Sequence, residues 1–372
     1  MKILYIASIR LPTEKAHGVQ IMKTCEAFSE IGVETTLSVP HFILFDRQKL
    51  DPFDYYNIKR VFKIKKVLSL RLIRLGPVGF FLETLVFFLG LVLSLDFWKA
   101  DYIFSRDEML VSLASLFSKK VIWETHTGSF NFFAKSALKK TKLVVSISQG
   151  LKDFYISQKV SEAKIVVSPD GVDLEDFNIS QSKLEARSIL RLPQNKKIVL
   201  YAGRLDGWKG VDVFFEASNR FDEEILPVVI GGDKNQIELF SQKYPRILFL
   251  GYKPYKELPL YQRSADVLVL TNTAKNVISR LYTSPLKVFS YMASGVPIVA
   301  SDLPSVREVL NDTNSVLVSP DSPEALLEGI IGVLEDESRA GIMAEHALSL
   351  VRRFTWVERV KKILGAIEYL KI

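Results

Sequence analysis

Residues 197–210 have the sequence "KIVLYAGRLDGWKG", in which a run of apolar residues ends abruptly at glycine and charge. A run of this length that ends at a turn signal is typical of a buried strand in a parallel sheet. Similar strand-like runs alternate with longer helix-like runs along the whole chain. The sequence therefore predicts an α/β protein whose parallel sheets are covered by helices.

A polar connection that contains the turn residues Pro169-Asp170-Gly171 divides the strand-like runs into two groups. The predicted strands of the first group are 2–8, 33–38, 101–105, 120–124, 142–147 and 164–168. Those of the second group are 197–202, 226–231, 247–250, 266–270, 297–300 and 315–318. We also predict a helix from Val19 to Ile31, because apolar residues recur there at helical spacing. Two doubly wound, Rossmann-like domains that face each other across a cleft are expected, at 1–175 and 176–354.

The composition is that of an ordinary globular protein, since about half of the 372 residues are apolar and a quarter are charged. The one cysteine, Cys25, cannot form an internal disulfide and lies on the apolar side of the predicted helix, so we expect it in the core. No spacing typical of a zinc site connects the four histidines, which are His17, His41, His126 and His346. Neither a metal nor another cofactor is therefore expected.

The first residues, "MKILYIASIRLPTEKAHG", contain a short apolar run that turns polar too soon for a secretory signal. This pattern favours a first β-strand in a cytoplasmic protein.

Positive charge is concentrated in one part of the chain. The net charge is +7, and no acidic residue occurs between Tyr55 and Leu82. That segment contains seven basic residues interleaved with apolar ones, namely Lys59, Arg60, Lys63, Lys65, Lys66, Arg71 and Arg74. A basic amphipathic element suits an anionic membrane surface. The alternative is a solvated basic face beside a buried core helix; no nucleic-acid-binding motif accompanies the charges, and no nucleic-acid partner is expected.

The apolar stretch 79–98 follows the basic residues almost at once. Glu83 interrupts it, and the longest run without charge, 84–95, is too short to span a bilayer. A helix packed on a sheet is the favoured interpretation. We therefore expect a peripheral protein on the inner face of the cytoplasmic membrane.

The loops after predicted strands contain the residues that are most suggestive of a ligand site. In doubly wound sheets, ligands bind beyond the carboxyl ends of the strands. Gly18 follows the first strand and opens a helix whose free backbone N–H groups suit an anion. His126 follows "KVIWE", and Arg204 and Lys209 follow "KIVLYAG". Each signal is weak alone, and no GxGxxG or P-loop motif is present. Together they predict a binding site for an anion that carries two or more charges. Diphosphate is the commonest ligand of this kind.

An ordered set of motifs resembles glycosyltransferase family 4, the retaining nucleotide-sugar transferases of the glycosyltransferase-B fold. The most specific motifs are "VVSPDGVDLEDF", "LYAGRLDGWKGVDVFFEA", "VVIGGD", "ILFLGYKP" and "YTSPLKVFSYMASGVPIVASDLPSVREVL". Weaker matches are "AHGVQ" and "ETHTG". The final "RRFTWVERVKKIL" resembles the family's closing segment, which implies that a C-terminal helix at 355–372 joins the first domain.

The resemblance implies roles for individual residues. Arg204 and Lys209 would bind the donor diphosphate and stabilise the charge that develops on it, which removes the need for a metal. His126 would contact the transferred sugar near its reacting carbon. The remaining donor-binding candidates would contact the phosphates, the ribose or the base; they are Gly18, Tyr252, Leu286, Lys287 and Ser290. Gly18, Leu286 and Lys287 would act through their backbone N–H groups.

The sequence departs from the family at two positions. Most relatives carry two glutamates eight positions apart, where this chain has Tyr282 and Ser290. The second glutamate normally accepts both ribose hydroxyls, so a serine there predicts weaker donor binding.

The resemblance implies a retaining hexosyltransferase of cell-surface polysaccharide or glycolipid synthesis. Its donor would be a UDP- or GDP-linked sugar, and its acceptor a glycan or a lipid-linked molecule. Two alternatives remain at this point. One is a nucleotide-sugar 2-epimerase of the same fold. The other is a non-catalytic nucleotide-binding partner subunit, which the absence of the two glutamates supports.

Overall fold

The computed structural model describes residues 1–42, 50–118 and 120–370, and it divides the chain into two units. The first unit consists of residues 1–169 together with the chain from Trp356 onward. The second unit consists of Asp170–Thr355. The boundary lies at 169/170, where the sequence predicted 175/176. Residues 371–372 of the predicted terminal helix lie outside the described residues.

Within the described residues, the first unit has a seven-stranded parallel sheet in the order β3-β2-β1-β4-β5-β6-β7. Its strands are β1 (Lys2–Ile6), β2 (Glu34–His41), β3 (Lys63–Leu68), β4 (Tyr102–Ser105), β5 (Val121–Thr125), β6 (Leu143–Ser146) and β7 (Ile165–Val167). Its helices are α1 (Ala16–Glu30), α2 (Pro52–Tyr56), α3 (Gly76–Val92), α4 (Leu95–Lys99), α5 (Glu108–Ala114), α6 (Phe132–Lys140), α7 (Gln149–Ser157) and α17 (Trp356–Tyr369).

The second unit has a six-stranded parallel sheet in the order β10-β9-β8-β11-β12-β13. Its strands are β8 (Lys197–Ala202), β9 (Ile225–Ile230), β10 (Leu248–Gly251), β11 (Val267–Leu270), β12 (Ile298–Ser301) and β13 (Val316–Val318). Its helices are α8 (Leu174–Phe177), α9 (Lys183–Leu190), α10 (Val211–Ser218), α11 (Lys234–Lys243), α12 (Leu258–Arg263), α13 (Leu286–Ser294), α14 (Pro304–Arg307), α15 (Pro323–Glu335) and α16 (Glu337–Val351).

Strand β8 shows why the second sheet is covered on both faces. Successive side chains of a strand point to opposite faces. Ile198 and Leu200 pack into one apolar cluster, which includes residues of α13 and α16. Val199 and Tyr201 pack into another, which includes residues of α10 and α15. The continuous apolar run that predicted a buried parallel strand therefore has an apolar partner layer on each side, and the predicted α/β fold with two parallel sheets is confirmed.

All twelve predicted strands are present with small shifts at their ends, but strand β3 was not predicted. The basic segment was interpreted as an amphipathic element, whereas Lys63–Leu68 form an edge strand that pairs with β2. Charged residues are common on edge strands, where they discourage pairing with another chain. The interleaving of basic and apolar residues in this part is thus the period-two pattern of a strand.

Two glycines allow β8 and β9 to approach closely where they end. Gly203 N–H donates to Ile230 O at 2.9 Å, and a Cβ on Gly231 would lie 1.9 Å from the Gly203 carbonyl oxygen. Gly231 also has a φ of +122°, which side chains rarely adopt. The backbone at this edge of the sheet therefore requires glycine.

We expect Gly231→Ala to lower the free energy of unfolding by about 2 kcal/mol or more, because the new methyl group meets backbone that cannot move aside. Gly332→Ala is the matched control, since no neighbouring heavy atom lies within 4 Å of its added Cβ and it lies within α15. The free energy of unfolding of Gly332→Ala should be higher than that of the wild type by up to about 1 kcal/mol, because alanine favours a helix over glycine. Urea denaturation measures both, and equal stability of Gly231→Ala and the wild type would contradict the observed strand packing.

Candidate functional site

The loop after β8 places two predicted cations at the carboxyl end of the second sheet. Arg204 is exposed, and its Nε lies 2.9 Å from Asp206 Oδ2. Lys209 ends a short 3-10 turn, Gly207–Lys209, and its carbonyl oxygen accepts a hydrogen bond from Thr271 Oγ1 at 3.4 Å. Thr271 directly follows β11, the neighbouring strand. The loop is therefore tied to the adjacent strand end.

Lys287 brings a third cation to the same place. Its Nζ lies 4.0 Å from the centre of the Tyr201 ring on β8. A Cβ on Gly203 would lie 2.5 Å from this Nζ, so the lysine packs directly against the glycine that ends the strand. Tyr201 in turn donates its hydroxyl hydrogen to Arg204 O at 2.9 Å. The sequence had predicted a role for the Lys287 backbone; the structure adds its side chain.

The cations lie close enough to affect one another. Burial and the charge of Arg204 lower the pKa of Lys209 to about 8, against the opposing effect of Asp206. Burial and the charge of Lys209 lower the pKa of Lys287 well below its usual value. Both lysines would hold their protons more firmly next to an anion.

Helix α13 adds backbone donors beside Lys287. It begins at Leu286, and no side chain caps its amino end, where Pro285 is the N-cap residue. The first N–H groups of a helix have no partner within it, and the helix dipole favours negative charge there. Leu286 and Lys287 thus lie where the sequence expected donors to a phosphate.

Ser290 lies one turn further along α13 and is buried. Its hydroxyl donates to Lys287 O at 3.0 Å and accepts from Gln262 Nε2 at 3.1 Å. The contact between Ser290 and the ribose remains a prediction.

The structure also places two tyrosines that the sequence analysis named. Tyr252 follows β10 and is 40% exposed. Tyr282 ends a π-helical turn, Ile278–Tyr282.

In the first unit, His126 belongs to a buried polar cluster at the carboxyl end of β5. Its Nε2 bonds to Glu124 Oε1, and its side chain is 15% exposed. Glu124 also accepts from Gln20 Nε2 of α1 and, at 2.7 Å, from Arg359 Nη2 of α17. Arg106, after β4, donates from Nη1 to Gln20 Oε1 at 3.0 Å. The terminal helix therefore supplies a buried guanidinium to this cluster.

The cluster keeps His126 neutral and Glu124 charged. Burial and the charge of Arg106 lower the pKa of His126 to about 4, although Glu124 opposes this shift. Burial raises the pKa of Glu124, but Arg359 and His126 outweigh burial and hold it well below its usual value. When a neutral His126 donates its Nε2 hydrogen to Glu124, Nδ1 carries the lone pair that can accept a hydrogen bond.

The expectation for Gly18 was wrong in two respects. Helix α1 begins at Ala16, and the Gly18 N–H donates to Lys15 O at 2.9 Å, so it is not a free donor. A Cβ at this position would lie 2.2 Å from the Tyr56 hydroxyl. Glycine is needed there because Tyr56 packs against the backbone while its hydroxyl contacts Thr13 N and O.

Residues 182–349 match the family described as "Glycosyl transferases group 1". This segment, which lies within the second unit, belongs to the group 1 glycosyltransferases. The chain is 30% identical over 237 residues to a D-inositol 3-phosphate glycosyltransferase of Xylanimonas cellulosilytica, an alignment that covers 60% of this chain and 55% of that protein. It is 31% identical over 211 residues to the phosphatidyl-myo-inositol mannosyltransferase of Mycobacterium tuberculosis, covering 54% and 53%. The chain thus spans about half the length of the curated relatives it matches.

Solved structures share the fold of this protein. Anabaena Alr3699/HepE in complex with UDP and glucose is similar with a TM-score of 0.78 and 16% identity, over 99% of both chains. The lipopolysaccharide outer core galactosyltransferase WaaB is similar with a TM-score of 0.68 and 18% identity, over 100% of both chains. At these identities the likeness shows the fold, and the resemblance inferred from the motifs is confirmed for the fold and, over residues 182–349, for the family.

Carboxylates neutralise at least three of the seven basic residues between Tyr55 and Leu82. Lys59 pairs with Glu30 at 2.7 Å, and Lys65 pairs with Asp96 at 2.6 Å. Arg60 pairs with both Asp51 and Asp54. The other candidates for a membrane-facing role are exposed, and they are Lys63, Lys66, Arg71 and Arg74.

The apolar stretch 79–98 beside them forms most of α3 and α4, and Phe87, Phe88 and Leu91 of α3 are buried, in line with the prediction of a helix packed on a sheet. Many other apolar side chains of this stretch and of the residues just before it are exposed, including Leu75, Val78, Phe80, Phe81, Leu89, Leu93, Leu95 and Trp98. Leu93 is 88% exposed. Trp98 is in ring contact with Phe117, which is also exposed, so the apolar surface continues beyond the two helices. Within the described parts of the chain, no helix is long and apolar enough to cross a membrane.

Glu124, Arg106 and Arg359 were not identified from the sequence. Glu124 interrupts an apolar strand one residue before its end, and Arg359 lies on the buried side of a helix near Val360 and Ile363. A charge at such positions signals a buried pair. Which charges pair is decided by tertiary contacts between α17 and the sheet.

We expect the protein to lose stability as the pH falls from about 6.5 to about 4, in part because of His126. In this window the unfolded chain binds a proton at this histidine, while the folded protein excludes it. His126→Gln retains an N–H donor for Glu124 and should remove on the order of 2 kcal/mol of that loss. Urea denaturation across this pH range measures the effect.

His17, whose pKa is also lowered to about 4, contributes a loss in the same direction, so His17→Gln gives a parallel comparison. An unchanged pH dependence in His126→Gln would show that this imidazole is not kept neutral by its surroundings.

Proposed function

We propose that this protein is a retaining hexosyltransferase, which moves a hexose from a UDP- or GDP-linked sugar to a glycan or lipid-linked acceptor. The observation that carries the proposal is the cluster of Arg204, Lys209 and Lys287 at the end of β8, in a family of glycosyltransferases. Three cations beside an uncapped helix end suit a diphosphate. Anabaena Alr3699/HepE, which shares the fold, binds UDP.

The cation cluster fits the chemistry of the leaving group. As the bond between the anomeric carbon and the diphosphate oxygen breaks, negative charge grows on the diphosphate. Donors fixed in advance where this charge develops lower the barrier, and each can contribute about 10²–10³ in rate. The same cations supply the positive charge that a metal ion provides in other transferases, so we propose a metal-independent reaction.

Retention follows if the acceptor attacks from the face that the diphosphate leaves. The acceptor oxygen then bonds to the anomeric carbon, and its proton passes to the leaving phosphate oxygen. This route needs no carboxylate nucleophile. We propose that His126 accepts a hydrogen bond from a hydroxyl of the transferred sugar, because Glu124 occupies its Nε2 and leaves Nδ1 with a lone pair.

The exposed surface of α3 and α4 supports a peripheral membrane location, on the inner face of the cytoplasmic membrane. Exposed apolar patches of this kind mark interaction sites in soluble proteins. Here the patch adjoins exposed basic residues, which complement an anionic lipid surface. Such a position would bring a lipid-linked acceptor to the enzyme and would suit glycolipid or cell-surface polysaccharide synthesis.

The donor proposal is tested by a thermal-shift panel of UDP, GDP, ADP and their common sugar conjugates. We expect one base to stabilise the wild type, by about 2.7 kcal/mol at 100 times its dissociation constant. The double variant Arg204→Ala, Lys209→Ala should lose this shift. Arg220→Ala, Lys243→Ala is the matched control, because it removes the same two charge types from the exposed surface of the same unit.

Incubating the selected sugar conjugate with and without acceptor extract separates the possible activities. Acceptor-dependent transfer with an unchanged anomeric configuration supports the proposal. A changed sugar without acceptor dependence would identify an epimerase, and nucleotide binding without turnover would identify a non-catalytic subunit. The absence of any shift in the panel would contradict a nucleotide site.

The membrane proposal predicts that the protein floats with vesicles that contain anionic lipid, and less so with neutral vesicles or at high salt. Leu93→Asp with Trp98→Ser should abolish flotation, and Lys63→Glu with Arg74→Glu should weaken it, since each basic residue contributes about 1 kcal/mol. Leu184→Asp with Ile189→Ser is the control, because both side chains are as exposed as Trp98 but lie in the second unit. Equal flotation with anionic and neutral vesicles would contradict the proposed role of the basic residues in membrane binding.

A further inference from the structure

Lys287 occupies an unusual position for a lysine that is half-buried. Among the described residues, no carboxylate pairs with it; its recorded neighbours are the Tyr201 ring, Gly203 and the charge of Lys209. Lys23, which is fully buried, pairs with Glu26 at 3.2 Å and bonds to Asn57 O. A charge that is partly removed from water is favourable only near an opposite charge, so a half-buried lysine that faces a second lysine calls for an explanation.

The surrounding structure holds Lys287 at the end of β8. Lys287 and Tyr291 are four residues apart and therefore lie on the same face of α13. The Tyr291 hydroxyl accepts from Ala202 N at 2.9 Å and thereby fixes this face against the last residue of β8. The Tyr201 ring then supports the ammonium group from below, while the absence of a side chain at Gly203 leaves room for it. Both strand and helix thus determine where Nζ lies.

We propose that the Lys287 side chain is a third phosphate-contacting group of the diphosphate site, held ready on the Tyr201 ring when the site is empty. The inference rests on the proposed function and adds a side chain to its site. A cation on an aromatic face keeps a favourable contact without a bound anion. It can then exchange part of this contact for a phosphate oxygen when the nucleotide arrives.

Two consequences follow from the charges. A three-cation site favours a diphosphate over a monophosphate of the same nucleoside, because the diphosphate carries more negative charge. Diphosphate binding should also take up protons near pH 8.5, since the anion raises the affinity of Lys209 and Lys287 for their protons. Removal of Lys287 should reduce both effects.

Calorimetry tests this with the nucleoside diphosphate selected by the panel and the matching monophosphate, for example UDP and UMP. Lys287→Met retains most of the side chain without its charge. We expect it to bind the diphosphate about ten- to a hundredfold more weakly and the monophosphate less than about tenfold more weakly. Titrations in two buffers of different ionisation enthalpy should show a smaller proton uptake than in the wild type.

The thermal stability of the ligand-free variant distinguishes binding from folding. If Lys287 serves the ligand, its loss relieves repulsion with Lys209, and the melting temperature stays the same or rises. If it serves only to join α13 to β8, the melting temperature falls and both nucleotides weaken equally, which would overturn the proposal. Lys243→Met is the control, because Lys243 lies over Tyr244 in a similar way on the exposed surface of the unit.

Lys209→Met separates failure of this inference from failure of the proposed function. If the wild type binds neither nucleotide, the proposed function is wrong, and the inference falls with it. If the wild type binds the diphosphate and Lys209→Met weakens it, but Lys287→Met does not, the site stands and the role of Lys287 is wrong.

Discussion

Repulsion between cations at the end of β8 is the interaction on which the account of this protein depends. Lys209 and Lys287 are both half-buried, the charge of Lys209 acts on Lys287, and the charge of Arg204 acts on Lys209. Such an arrangement opposes folding unless packing holds it in place. The packing comes from the Tyr201 ring, the Tyr291 hydroxyl and the glycines at the strand ends. Stability and anion binding are thus in opposition at one place in the fold.

The two candidate sites treat charge differently. In the first unit Glu124 is surrounded by donors from α1, α17 and the loop after β5, and its charge is paired with that of Arg359. In the second unit the described carboxylates satisfy Arg204 through Asp206 but leave Lys287 on an aromatic ring. The first arrangement fixes the orientation of a neutral histidine, and the second leaves positive charge for a ligand. The contrast matches the proposed roles, which are contact with a sugar hydroxyl and contact with a diphosphate.

The sequence predicted the fold well, because strands buried on both faces appear as continuous apolar runs, and residues 197–202 illustrate this. It also placed Arg204 and Lys209 on one loop, since neighbours in sequence need no tertiary information. Strand β3 escaped prediction because an edge strand lacks the continuous apolar run. Gly18 was misjudged because a glycine that admits Tyr56 and one that admits a phosphate look the same in a sequence. The Lys287 side chain and the Glu124–Arg359 pair depend on contacts between distant segments, which no local pattern encodes.

The most direct test of the central claim is a crystal structure of the protein with its nucleoside diphosphate bound. The account predicts diphosphate oxygens within about 3 Å of nitrogen atoms of Arg204, Lys209 and Lys287, with backbone N–H groups of Leu286 or Lys287 directed at the same phosphates. A nucleotide whose phosphates lie elsewhere, with these three side chains unchanged, would contradict it.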